Sequence, residues 1–137
     1  VLNSATARFI YHLCENELMT ILVACIGAGK GTWLHVARLI KEQDWEQIYL
    51  ITNQFGKENF KLEKQDKTML ILVNENMHVP EMTEAIRKEL EGKLFGDVAV
   101  NLISGEGKEH MAVLAALLKV GAGIRLVAVT LEGIKEI

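Results

Sequence analysis

Five stretches of strand length in this chain are apolar almost without interruption: residues 20–26 (TILVACI), 47–53 (QIYLITN), 68–74 (TMLILVN), 97–103 (DVAVNLI) and 124–130 (IRLVAVT). A strand with one wet face alternates polar and apolar residues, so a continuous apolar run means that both faces are covered. Helical patterns separate these runs. Trp33, Val36, Ala37 and Ile40 form one stripe. Met82, Ala85, Ile86 and Leu90 form a second, with Pro80 at its start and Gly92 as its stop. A third helix is predicted over Lys108–Lys119, ended by Gly121 and Gly123. Residues 54–67 are polar and charged and read as a surface connection whose shape the sequence leaves open. Strands alternating with helices predict an α/β fold, a three-layer sandwich around a parallel sheet of about five strands. Right-handed crossovers favour the doubly wound order 3-2-1-4-5.

In that order strands 1 and 4 are neighbours and the chain leaves them for opposite faces, which makes the gap beyond them the expected ligand crevice. Each of these strands is followed by a GxGK loop: Gly27-Ala28-Gly29-Lys30, with Gly31 next, and Gly105-Glu106-Gly107-Lys108. Glycines let backbone N–H groups turn outward, a helix N-terminus adds partial positive charge, and a lysine adds a full one. Both loops therefore have the chemistry of an anion site, and the topology predicts that they share one crevice. Asn101 and Ser104 stand before the second loop as hydrogen-bond donors, although Asn101 lies in the strand and is equally suited to stitching backbone groups together. Glu106 is unfavourable beside a phosphate unless it points outward or binds a ribose hydroxyl. His35 and His110 are the residues near the loops suited to proton transfer near neutral pH. A plain surface role is the simpler reading of His35.

Bulk properties narrow the partners. The chain of 137 residues suffices for one core that buries roughly 70% of its unfolded surface. Its net charge is −3 and its pI about 5.8, whereas proteins that coat long nucleic acids usually exceed a pI of about 9. No apolar run reaches the ~18–20 residues that cross a bilayer, and the first residues lack the pattern of a signal peptide. The expectation is a cytoplasmic protein that binds a small anionic ligand. Cys14 and Cys25 and the scattered histidines have no metal-site spacing, so neither a metal nor a cofactor is expected. Residues 1–18 precede the natural start of the domain at Met19 and form an N-terminal extension, with Phe9, Ile10 and Leu13 marking a short helix over 5–17.

The segment NLISGEGKEHMAVLAALLK (101–119), with its polar head and its Ala- and Leu-rich helix, resembles the signature segment of CARF domains, the Rossmann-like sensors of type III CRISPR antiviral systems. The resemblance extends over residues 19–132 through the first strand, its glycine loop and the strand GIRLVAVT. It implies a stand-alone cyclic-oligoadenylate-binding domain with a pocket shared by the subunits of a homodimer. The implied ligand-binding residues are Gly27, Ala28, Gly29, Lys30, Gly31, Asn101, Ser104, Gly105, Glu106, Gly107 and Lys108. Some relatives of this kind cut their own ligand without metal; that role would fall to Lys108, Ser104 and His110. A dimer also accounts for a helix 108–119 that is apolar on nearly every side, although a neighbouring helix of the same subunit would serve as well. Two other readings remain open. ACIGAGKGT resembles the adenylate-kinase form of the P-loop, which would make the Gly27–Thr32 loop part of a mononucleotide-binding enzyme. A doubly wound module for another phosphate ligand, such as a flavin or dinucleotide, is the third. Thr52 and Asn53 close strand 2 where a standard NAD site has an acid.

Overall fold

Every residue of β1 (Ile21–Ile26) is buried, as an unbroken apolar run requires of a strand in mid-sheet. The computed structural model describes residues 3–6 and 20–137 of the chain. Apart from residues 4–6, which are helical, the helix predicted over 5–17 lies outside the described residues. After β1 come a 3-10 turn (Lys30–Thr32), α1 (Trp33–Glu42), β2 (Gln47–Thr52), α2 (Gln54–Asn59), β3 (Thr68–Leu72), α3 (Val79–Leu90), β4 (Asp97–Asn101), α4 (Gly107–Lys119), β5 (Gly123–Thr130) and β6 (Gly133–Glu136). The strands form one six-stranded sheet in the order β3-β2-β1-β4-β5-β6. Pairing is parallel from β3 through to β5. The chain is thus an α/β protein with a mostly parallel sheet and the 3-2-1-4-5 core order.

One local expectation is corrected, and one segment whose shape was open is defined. The sheet has a sixth strand: β6 turns back from β5 and pairs antiparallel, Thr130 opposite Gly133. Gly133 takes φ +101°, which only glycine adopts without strain. The stretch read as a surface connection contains α2, capped by Asn53, whose side chain accepts from the Gly56 N–H at 2.9 Å.

Side chains alternate across a strand, so β1 feeds two cores. Ile21, Val23 and Cys25 pack with Met82, Ile86 and Leu90 of α3 and with Val113, Ala116 and Leu117 of α4. Leu22, Ala24 and Ile26 pack with Val36, Leu39 and Ile40 of α1 and with Trp45. The chain therefore leaves β1 toward one face and β4 toward the other. Since β1 and β4 are neighbours, the switch point lies at their carboxyl ends. On α4, Ala112, Val113, Ala116 and Leu117 are buried, while Met111 and Leu118 remain 62% and 69% exposed. Among the described residues, no helix is long and apolar enough to cross a membrane.

Candidate functional site

The two glycine loops meet at the switch point, in direct contact. A Cβ on Gly27 would stand 2.6 Å from the Cα of Gly105, so the approach is open only to glycine. Gly105 itself has φ +99°, and a side chain there would meet a Glu109 carboxylate oxygen and the His110 ring. The buried hydroxyl of Ser104 accepts from the Gly27 N–H at 2.9 Å and locks one loop to the other. On its other side Gly27 is held by Trp33, whose indole Nε1 donates to the Gly27 carbonyl at 2.8 Å. Above this floor opens a cleft of about 390 Å³, walled by the Gly27–Gly29 turn, Gly31 and Thr32 on one side and by Ile103, Gly105 and Glu106 on the other.

The loops are chemically unequal. At the first, Gly29 occupies the cap position with extended φ and ψ, no side chain caps the turn, and its first residues carry no acid. Among the described residues, nothing lies within 4 Å of a Cβ placed on Gly29 or Gly31. Outward N–H groups at the start of an uncapped helix are a receptor for an anion. At the second loop Glu106 and Glu109 close a capping box. The Glu106 carboxylate accepts from the Glu109 N–H, and the Glu109 carboxylate accepts from the Glu106 N–H at 2.8 Å. The positive end of α4 is already occupied by the chain's own carboxylates, which explains an acid in a glycine loop.

The polar residues singled out in the sequence are placed as follows. Lys30 is exposed, with Nζ 5.7 Å from the ring centroids of both Trp33 and Phe55. That distance is within cation–π range. Lys108 turns away from the Gly27 loop, and its ammonium donates to the Glu75 carbonyl oxygen beyond β3. Asn101 is buried. Its Nδ2 donates to the Val127 carbonyl at 2.8 Å and faces His35 Nε2 at 3.3 Å, while its Oδ1 accepts from the Ile103 N–H at 3.2 Å. His110 Nε2 donates to the Ser104 carbonyl at 2.8 Å. Ser104, Lys108 and His110, the expected catalytic group, thus all hold parts of the chain, and none of them lines the cleft. Of the implied binding residues, Gly27, Ala28, Gly29, Gly31, Gly105 and Glu106 line it.

His35 is a structural tether. Its Nε2 accepts from the Val129 N–H at 3.2 Å as well as facing Asn101, so that nitrogen carries no proton and the ring is neutral. Burial, with a smaller contribution from Arg38, lowers its pKa below the ordinary histidine value. Cys25 is buried under Gly105; burial, and then the Glu109 charge, push its thiol far up, so it is a core residue and not a nucleophile.

Two contributions went unrecognised in the sequence. Trp33 reads as an ordinary member of an apolar stripe, and nothing local marks its indole as the clamp on Gly27. The capping box was legible, with Glu106 at the cap position and Glu109 at the third helical position, once a carboxylate is allowed in place of serine or threonine. No protein-family model matches this chain, and no curated protein matches it either.

Proposed function

We propose that this chain is a CARF-like protein that binds a cyclic oligoadenylate at the switch point, as a Rossmann-like three-layer domain working as a cytoplasmic homodimer. The observation that carries the reading is the asymmetry of the cleft. One wall is an uncapped, glycine-lined helix start ready for a phosphate. The other presents Glu106, a carboxylate suited to accept hydrogen bonds from a ribose hydroxyl or an exocyclic amine. A ligand with alternating phosphates and sugars matches such a pair of walls better than a bare anion does. A cyclic ligand with an even number of units can be two-fold symmetric, as is a pair of identical subunits. The exposed Met111 and Leu118 on α4 supply apolar surface for that pairing.

Binding without cleavage is the better supported activity. The hydroxyl, ammonium and imidazole that a metal-independent ring nuclease would use are all engaged within the chain. A P-loop-like enzyme remains the second reading, because Thr32 lines the cleft next to the glycine turn. The test is a melting series of the protein with cyclic tetra-adenylate, cyclic hexa-adenylate, ATP with magnesium, and FMN. Ligand at a hundredfold excess over its Kd adds about 2.7 kcal/mol of stability. Stabilisation by a cyclic adenylate is expected. Stabilisation by ATP alone favours the P-loop reading, and by FMN alone the flavin module; either overturns the proposal.

A further inference from the structure

The carboxyl edge of the sheet carries a second cleft, also of about 390 Å³, between α2 and the loop that follows β3. Val73 and Met77 form its apolar part, Phe55 and Leu72 stand beside them with 41% and 42% of their surfaces exposed, and the amides of Asn74 and Asn76 belong to its rim. The loop is held in shape before any ligand arrives. The Val73 N–H donates to the Thr52 carbonyl at 2.9 Å, and the Asn76 N–H donates to Asn74 Oδ1 at 2.9 Å. Asn53 Nδ2 donates to the Glu75 carboxylate at 3.1 Å, and Lys108 grips the Glu75 carbonyl. The second GxGK lysine thus braces this cleft and leaves the first one alone.

The chemistry of the lining selects its occupant. Among the described residues its lining contains the carboxylate of Glu75 and no lysine or arginine, and the two lysines at its edges are turned to its walls, Lys108 to the Glu75 carbonyl and Lys30 over the Phe55 ring. An aromatic face beside apolar side chains, with amides that both donate and accept, suits a neutral planar ring with a hydrogen-bonding edge. A purine base is such a ring, and asparagine amides pair with the donor and acceptor on an adenine edge. The two clefts lie about two strand spacings apart, roughly 10 Å, on the same edge. Lys30 stands at their boundary, over Trp33 of the first loop and Phe55 of the second cleft.

We infer that the cleft between α2 and residues 73–77 is a base subsite: it receives a purine of the nucleotide whose phosphate rests on the Gly27–Thr32 turn. The inference rests on the phosphate reading of the first cleft, so its test must separate the two. Leu72→Trp fills the second cleft from an exposed strand position where tryptophan is well tolerated. Asn76→Trp fills it from the loop and replaces Leu72→Trp if that variant melts well below the parent. Binding of cyclic tetra-adenylate and of tripolyphosphate, which has no base, is measured by calorimetry on the full chain. The expected result is at least tenfold weaker binding of cyclic tetra-adenylate with tripolyphosphate binding unchanged. Undiminished adenylate binding in the filled variant overturns the base subsite and leaves the phosphate reading standing. Equal losses for both ligands overturn it too. A parent protein that binds neither ligand overturns both proposals.

Discussion

Ser104 and Gly27 are 77 positions apart in sequence, yet the serine hydroxyl accepts the glycine N–H at 2.9 Å. That bond joins the loop after β1 to the loop after β4 and forms the floor of the switch-point cleft. Removing the hydroxyl leaves a buried N–H without a partner, which costs about 1–3 kcal/mol. Ser104→Ala is therefore expected to lower the free energy of unfolding by that amount, read as a lower urea midpoint at an unchanged slope. A variant as stable as the parent would show that the loops are held apart from this bond.

Gly27→Ala is expected to be at least as damaging, because the new Cβ falls against the Gly105 backbone, which has no flexible side chain to move aside. Forcing atoms into such a contact typically costs about 1–3 kcal/mol. Gly29→Ala is the control: its Cβ meets open space, so thermal melting should separate the two alanine variants clearly.

Glu106 has two opposed effects. It caps α4, and Glu106→Ala should cost about 1 kcal/mol of stability. It also places a negative charge on the wall of the cleft, so the same variant should bind tripolyphosphate more tightly. Unfolding and calorimetry on one preparation check both signs; a loss of both stability and anion affinity would contradict the arrangement.

His35 makes stability depend on pH. Its folded-state pKa is lowered, so the unfolded chain takes up the proton first. The contribution is fully present above the unfolded value, about 6.5, and is lost as pH falls through that value toward the folded one. Protonation of Nε2 removes the acceptor for the Val129 N–H. Stability of the parent relative to His35→Gln should therefore fall as pH drops through about 6.5. A difference that stays flat over that drop would mean that folding leaves the histidine pKa unshifted, and one that rises as pH falls would mean that the ring is charged in the folded state.

Much of the fold is legible in the sequence because its strands are buried on both faces, and continuous apolar runs mark them. Crossover handedness leaves few strand orders for such a chain, and the doubly wound 3-2-1-4-5 order favoured among them is the one observed for the first five strands. β6 escaped notice because an edge strand needs few apolar residues, and GIKE offers only Ile134. The site was legible in its backbone and not in its side chains. Glycines declare where a loop must turn or be approached, as Gly27 and Gly105 do, whereas Gly29 is required by neither. Where a lysine or serine points depends on partners far away in sequence: Glu75 for Lys108, Gly27 for Ser104. The second loop resembles a known signature more closely, yet its helix start is filled by Glu106 and Glu109, while no side chain caps the turn at the first loop.

Gly29→Asp tests the central claim most directly. Gly29 has extended φ and ψ at the cap position of an uncapped turn, with open space where the side chain would go. Aspartate there caps the helix start and should leave the melting temperature unchanged or slightly raised. It also puts a charge of the wrong sign where the proposed phosphate would sit. Calorimetric titration of cyclic tetra-adenylate into parent and variant should show binding to the parent and at least tenfold weaker binding to the variant. Equal affinity in the two proteins, or no binding to the parent, would contradict the claim that this cleft holds the phosphate of a nucleotide.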